Sequence, residues 1–291
     1  MSKGKQLREA MANGLVVAPF VYDGFTAKIA RRHGAKAIYM SGFGTAAQLG
    51  MPDVGLTSFA EMVDNLRYVA GAVDVPVIAD ADTGYGNPVN ARRTVREYEE
   101  AGAAALHLED QVFPKKCGFF AGKQVVPKEE HVYKIQAALD ARQDPEFVII
   151  ARTDALAPNG WPDAIDRCLA YHKAGADLVF VDGIRTLEDL DIYQRELVGQ
   201  GVACLYNGGL EPTARVAARG FRVMITGSAH RLSYAAFRHA LLEIKSTGGT
   251  GQPRNADQFR AITDLLGLPE VYELERRYAS AASGPGRSEG S

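Results

Sequence analysis

Short apolar runs alternate with longer stretches of helical periodicity along most of the chain. The runs fall at residues 15–18, 37–40, 77–79, 105–110, 147–151, 178–181, 203–206 and 223–225. They are rich in Val, Ile, Leu and Ala, the composition of strands buried on both faces of a parallel sheet. Between them, segments 24–32, 88–100, 131–141 and 161–173 place apolar residues three and four apart, as amphipathic helices do. Ser58 with Glu61 three residues on predicts a capping box at the start of another helix. A Gly-Ala joint leads from helix to strand at Gly34-Ala35, Gly102-Ala103 and Gly175-Ala176. Eight strand–helix units in roughly 250 residues predict an α/β fold, a TIM (β/α)8 barrel rather than a doubly wound sheet.

The flanks and loops complete this plan. Residues 2–13 read as a short leading helix, with Leu7 and Met11 on one face. Residues 45–57 read as a long loop carrying Asp53, and 111–130 as a second long loop. A loop as long as the second in a compact domain is usually functional. After the last strand a helix is expected over 232–246, a Gly-rich break over 247–251, and two further helices over 257–266 and 270–279. The expected organisation is a catalytic barrel over 1–246, a helical extension over 247–279, and a disordered polar tail over 280–291.

Composition removes several function classes. The chain has 291 residues, 46% of them hydrophobic, and a formal net charge of -2. Its charges are mixed, with no basic stripe for nucleic acid or a membrane surface. No apolar run approaches the ~20 residues that span a bilayer. Cys117, Cys168 and Cys204 lack zinc-ligand spacing. With no signal-peptide pattern, they are expected to be reduced thiols of a cytoplasmic protein.

Chemistry concentrates at the strand ends. The stretch Val77 to Gly86 runs from strand into Asp80, Asp82 and a Gly-rich turn. Side chains two apart on a strand share a face, and two like charges held there call for a cation. Glu109 ends the next strand, and Asp53 lies in the loop before them. These hard oxygens either suit Mg2+, or Mn2+ in its place, or form a solvated acidic rim with capping roles. Arg152 ends the fifth strand, either as a clamp for a substrate carboxylate or as an ion pair with Asp154 or Glu109. Cys117 sits in the second long loop beside Lys115 and Lys116, either as a proton carrier or as an inert thiol. Tyr39 ends strand two, either near substrate or in the barrel core, and Ser41-Gly42 could donate backbone N–H groups to an oxyanion.

Five stretches give the chain a family resemblance: P-D-x-G at Pro52–Gly55, D-A-D-x-G-Y-G at Asp80–Gly86, H-L-E-D-Q at His107–Gln111, P-K-K-C-G at Pro114–Gly118, and I-I-A-R-T-D-A at Ile149–Ala155. In this order they resemble the isocitrate lyase/phosphoenolpyruvate mutase superfamily. The resemblance implies a Mg2+-dependent barrel with a mobile loop after strand four. It also implies a homotetramer, a dimer of dimers, whose subunits exchange C-terminal helices. Asp53, Asp80, Asp82 and Glu109 would be metal ligands, directly or through water. Ser41, Gly42, Phe43, Asp82, Lys116, Gly118, Phe119, Arg152, Asp182 and Asn207 would line the site of a small carboxylate substrate. Cys117 would be the lyase acid/base. The implied reaction is retro-aldol cleavage of a 2-hydroxy or 2-oxo di- or tricarboxylate to a 2-oxo acid such as pyruvate. Tyr39 would take the hydroxyl proton, and Cys117 would protonate the enolate-like fragment. Alternatives are an oxaloacetate decarboxylase or hydrolase, a mutase of the phosphonate type, and, in a different class, a non-catalytic binding barrel.

Three positions depart from the lyase pattern. Phe119 stands where the loop usually has His, Asp182-Gly183 where strand six usually ends in Glu-Ala, and Tyr206–Leu210 lacks the usual carboxylate-holding segment. Phe119 and Phe120 would favour an apolar substituent, and an unpaired Asp182 would repel a distal carboxylate.

Overall fold

The computed structural model describes residues 1–118, 120–249 and 255–282. The chain divides into two compact units, Met1–Tyr234 and Ala235–Ser291. In the first unit the eight expected strands are all present: β1 (Val16–Val21), β2 (Ile38–Met40), β3 (Val77–Asp80), β4 (Ala105–Glu109), β5 (Val148–Thr153), β6 (Leu178–Val181), β7 (Cys204–Asn207) and β8 (Val223–Thr226). They pair in sequence order, in parallel, and β1 pairs with β8 to close the barrel. The fold is therefore the TIM barrel expected from the strand–helix count.

Strand alternation sorts the core into two layers. Ala18, Tyr39, Ile78, Ala105, Ile150, Phe180, Leu205 and Ile225 form one buried cluster, the barrel interior. Their strand neighbours Met40, Ala79, Leu106, Ile149, Val179, Tyr206 and Met224 join a second cluster with helix residues such as Met62, Leu66 and Ile135. Each fully buried aliphatic side chain of this kind contributes about 1.5–3 kcal/mol. That is why strands apolar on both faces had to lie between a filled interior and a jacket of helices.

The leading helix, Lys3–Ala12, sends Leu7 and Met11 into the interior cluster. It lies against the residues that precede β5 and β6: Arg8 donates to Glu146 O at 2.9 Å and to Asp177 Oδ1 at 2.7 Å. Gly4 permits this approach, since a Cβ there would lie 2.4 Å from Glu146 O. The mouth at the strands' N-terminal ends is thus closed by packing, and polar chemistry is left to the other rim.

Local differences from the sequence reading have simple causes. The stretch expected as loop from 45 begins as a helix, Gly42–Gln48. Its two glycines weaken the helical pattern, but Ser41 caps it by accepting from Gly44 N. Strand β1 runs on through Pro19 to Val21, because Val16–Pro19 register with β8 and Phe20–Val21 with β2. In the second unit, helices Ala256–Leu266 and Leu268–Ala282 meet at Gly267, whose φ of +89° suits glycine. Of the tail expected over 280–291, residues 283–291 lie outside the described residues.

Candidate active site

Strand ends β2 to β6 bring the polar residues together at one rim. Asp80 is the last residue of β3, Glu109 the last of β4, Arg152 lies near the end of β5, and Asp182 follows β6. All four are buried, as are Asp53 and Asp82. Asp82 adopts a φ of 46°, in the left-handed region, at the start of the turn. Its N–H donates to Asp80 Oδ1 at 3.1 Å. Gly42 N–H, expected to serve an oxyanion, donates to Asp80 Oδ2 at 3.0 Å. A side chain at 42 would place its Cβ 2.7 Å from that oxygen, so Gly42 is required by the approach of Asp80.

Tyr39 does not sit as a free base. It is 2% exposed, shares a 2.7 Å hydrogen bond with His107 Nε2, and lies 3.5 Å from Asp80 Oδ2. Burial and the Asp80 charge push its phenol well above the usual value. This environment keeps the phenol protonated, the opposite of what an unaided base needs. His107 is buried and pushed down to about 4 by desolvation, so it is neutral.

The loop after β4 folds over this rim. Its base is stapled by the Gln111–Val125 bridge, by Val112 N to Gln124 O at 2.8 Å, and by Val126 N to Asp110 O at 2.8 Å. Lys115 reaches inward, its Nζ 2.5 Å from Asp53 Oδ1 and 2.8 Å from Asp82 Oδ1. Lys116 turns the other way, to Gly122 O at 3.0 Å. The two lysines expected to flank the thiol therefore serve the acids and the loop. Cys117 is 8% exposed, and its N–H donates to Asp53 O at 3.0 Å. Gly118 abuts Asp182: a Cβ there would be 2.1 Å from Asp182 Oδ2. Phe119 lies outside the described residues. Phe120 is 38% exposed.

Of the two readings of Arg152, its contacts show the ion pair. It donates to Asp154 at 2.8 and 3.0 Å, lies 3.2 Å from Glu109 and 3.6 Å from Asp182, and stacks over Phe180. The ion pair is real, and it is buried rather than on the surface. Asp182, expected to repel an anion, is paired instead: Lys123 Nζ lies 3.1 Å away. Phe43 packs its ring 4.8 Å from that of His230, and Asn207 is half-buried at the end of β7.

Charge is uneven around the site. Burial works against Asp80, but His107, Lys115 and Arg152 hold it down at about 2. Asp82 is pushed up to about 6 by burial and by the Asp80 and Asp53 charges, with Lys115 opposing. Glu109 is pushed well up by burial, partly opposed by Arg152. Asp82 Oδ1 is buried without a well-formed hydrogen bond, although Lys115 is close. Among the described residues no three His, Cys, Asp or Glu side chains converge as a ready-made metal cage. The expected ligands are neighbours rather than a closed shell, and Lys115 stands between two of them. Their all-carboxylate chemistry nonetheless fits a hard divalent cation, with water completing its shell.

The phosphoenolpyruvate phosphomutase family profile matches residues 6–245. The chain belongs to that family. It is 42% identical to 2,3-dimethylmalate lyase of Eubacterium barkeri, across 96% of this chain and 99% of that protein. Among solved structures it is similar to oxaloacetate acetylhydrolase in complex with the inhibitor 3,3-difluorooxalacetate, with a TM-score of 0.87, 34% identity, and coverage of 98% of this chain and 99% of that one. It is also similar to phosphonopyruvate hydrolase in complex with oxalate and Mg2+, with a TM-score of 0.86, 32% identity, and coverage of 96% and 100%. The superfamily resemblance read from the five stretches is borne out, as is an enzyme of the carbon–carbon lyase and mutase group. Metal dependence is typical of the family.

Sequence reasoning passed over His107, Lys115 and Lys123 as site residues. His107 had a signal: it lies two residues before Glu109 on β4 and so shares its face. The lysines had none, because which way a loop ammonium turns is decided by tertiary contacts.

Proposed function

We propose that this protein is a Mg2+-dependent carbon–carbon lyase, with Mn2+ able to substitute, acting on a 2-hydroxy or 2-oxo dicarboxylate and releasing a 2-oxo acid. The observation that carries this reading is the closed loop: Cys117 hangs from Asp53 O, and the next residue touches Asp182. The residue that carries the thiol is thereby held beside Asp53 and Asp182 at the polar rim. When bound, Mg2+ supplies charge to stabilise the substrate oxygens, and Asp80, Asp82, Glu109 and Asp53 would hold it, directly or through water.

The protein groups divide the remaining work. Arg152 orients a substrate carboxylate with the guanidinium protons that Asp154 and Glu109 leave available. Tyr39 would take the 2-hydroxyl proton as it passes its own to His107 Nε2, a transient transfer because burial holds that imidazole down at about 4. Cys117 returns a proton to the carbon of the departing enolate-like fragment. Ser41, Gly42, Phe43, Gly118 and Asn207 border the site, Gly42 by setting Asp80, while Lys116 holds the loop through Gly122 O.

Charge also bounds the substrate. Lys115, Lys123 and Arg152 are each already paired with carboxylates. A third substrate carboxylate would find no uncommitted cation among these, so a dicarboxylate such as 2,3-dimethylmalate is favoured over a tricarboxylate such as 2-methylisocitrate. A Mg2+-supplemented screen of 2-hydroxy and 2-oxo acids, read by release of a 2-oxo acid, tests this. Efficient 2-methylisocitrate cleavage would refute the dicarboxylate preference. The second reading is cleavage or decarboxylation of oxaloacetate, supported by the likeness to oxaloacetate acetylhydrolase. Release of oxalate or CO2 from oxaloacetate, with no 2-oxo acid from 2-hydroxy diacids, would favour it.

The assembly proposed is a cytoplasmic homotetramer whose subunits exchange C-terminal helices. Two surfaces support it. The first unit has an apolar groove lined by Val17, Phe20, Ile29 and Ala30. Helix Ala229–Thr247 exposes Leu232, Phe237, Leu241 and Ile244. Among the described residues no helix is long and apolar enough to cross a membrane. Light scattering that finds a monomer at micromolar concentration would reject the assembly.

A further inference from the structure

Three contacts grip the peptide segment that carries Cys117. Asp53 O accepts the Cys117 N–H. Gln111 holds the preceding residue at both ends, donating to Lys116 O at 2.8 Å and accepting from Lys116 N at 3.0 Å. The third grip comes from Lys123, further along the same loop. Its Nζ donates to Gly118 O at 3.0 Å, to Asp154 Oδ1 at 2.7 Å and to Asp182 Oδ2 at 3.1 Å. An ammonium has three protons, and here it meets three acceptors. The side chain is 1% exposed. Asp182 also abuts the same residue, against the Gly118 Cα. Gly118 is therefore held by its carbonyl and by its missing Cβ, directly after the thiol.

We propose that Lys123 is a positioning residue for Cys117, fixing the peptide after the thiol to the Asp154–Asp182 pair so that the sulfur faces the substrate. This rests on the reading of Cys117 as proton donor. Proton transfer needs the donor within hydrogen-bond reach of the receiving carbon, and a shift of about 1 Å can lower a rate about a hundredfold. Arg152 pairs with Asp154 and lies near Asp182, so the substrate clamp and the loop latch share the same two carboxylates. The position of the thiol is thereby referred to the group that orients the substrate. Lys123 itself touches neither substrate nor the reacting atoms.

The test measures alkylation of each cysteine by iodoacetamide in the full-length protein, resolved by peptide mass mapping. Cys168 and Cys204 are fully buried and serve as internal controls. In Lys123→Met the Cys117 rate should rise at least about tenfold while the other two stay unchanged. On a substrate from the screen, kcat should fall about a hundredfold with a smaller change in KM. Asp182→Asn keeps the shape of the site and removes one charged acceptor, so it should move the Cys117 rate in the same direction by less. An unchanged Cys117 rate in Lys123→Met overturns the proposal. Equal acceleration of all three cysteines also overturns it, because that marks general loosening. If Lys123→Met does not fold, Asp182→Asn decides by the same two readings. Near-normal turnover by Cys117→Ser would overturn the proton-donor reading alone, and the alkylation rates would still judge the latch.

Discussion

The two halves of the site differ in how their charge is balanced. On the β2–β4 side, Asp53, Asp80, Asp82 and Glu109 face a single lysine, Lys115. On the β5–β6 side, Asp154 and Asp182 face Arg152 and Lys123. The titrations follow. Burial and neighbouring carboxylates push Asp82 up to about 6, whereas Arg152 and Lys123 overcome burial and hold Asp154 at about 2. The first half carries an excess of negative charge that calls for a cation. The second is already neutral and fixed in place. Arg152 ties them together, 3.2 Å from Glu109.

The largest effect that could break this division is at Cys117, which the loop suspends between the halves. Cys117→Ala should lower kcat by about 10²–10⁴-fold, the usual worth of a placed proton donor. Steady-state rates on the substrate from the screen check this. A loss under about threefold would leave the lyase reading without its acid.

Asp154→Ala attacks the balanced half. It strands Arg152 and Lys123 with too few partners in a buried setting, and breaking such a pair costs about 3–5 kcal/mol. Urea unfolding should show that loss. A change below about 1 kcal/mol would mean the pairs are solvated and worth no more than surface ones.

Asp80→Ala attacks the unbalanced half, and the expected signature is different: metal affinity falls along with stability. Removing a carboxylate should weaken Mg2+ by about 10–100-fold or more, as read by calorimetry, since even outer partners of a metal are worth that much. Unaltered affinity would mean the cation sits elsewhere. Stability should fall too, because Asp80 is held down at about 2 and its loss leaves the buried Gly42 and Asp82 N–H groups without their acceptor.

The same contrast governs what the sequence could disclose. The barrel was legible because strand alternation and repeated Gly-Ala joints are local signals. Asp80, Asp82, Glu109 and Arg152 were legible because they end strands, and strand ends converge in a barrel. The helix Gly42–Gln48 was not, since its glycines weaken the helical pattern and its Ser41 cap reads equally well as a turn. Lys115, Lys123 and the pairing of Asp182 were not, because loop side chains carry no period. Lys116 looked like the equal of Lys115, yet one ammonium enters the acidic half and the other caps a loop carbonyl. The charge of Asp182 could be read from sequence, but its neutralisation by Lys123 could not.

Behind the balanced half lies a histidine whose effect is smaller but has a definite sign. His131, on helix Lys128–Ala141, is fully buried against Tyr171, with ring centroids 4.7 Å apart. Neither ring nitrogen meets a partner of normal geometry, although the Leu108 backbone is near enough to oppose the shift slightly. Burial first, then the Lys134 and Arg167 charges, push it down to about 3. An unfolded histidine titrates near 6.5, at about that value. Between these two values the unfolded chain binds a proton that the folded chain refuses. The contribution of His131 is therefore fully present above pH ~6.5 and is lost as pH falls toward ~3, at about 1.4 kcal/mol per pH unit. His131→Met keeps an apolar filler of similar length and removes the titration. Between pH 7 and pH 5 the wild type should lose about 2 kcal/mol more than the variant, read from urea midpoints at the two values. The difference isolates this group, because every other titration is common to both proteins. Parallel losses in the two proteins would mean that His131 is protonated in the fold, and that its buried position holds a charge the surrounding cations should not allow.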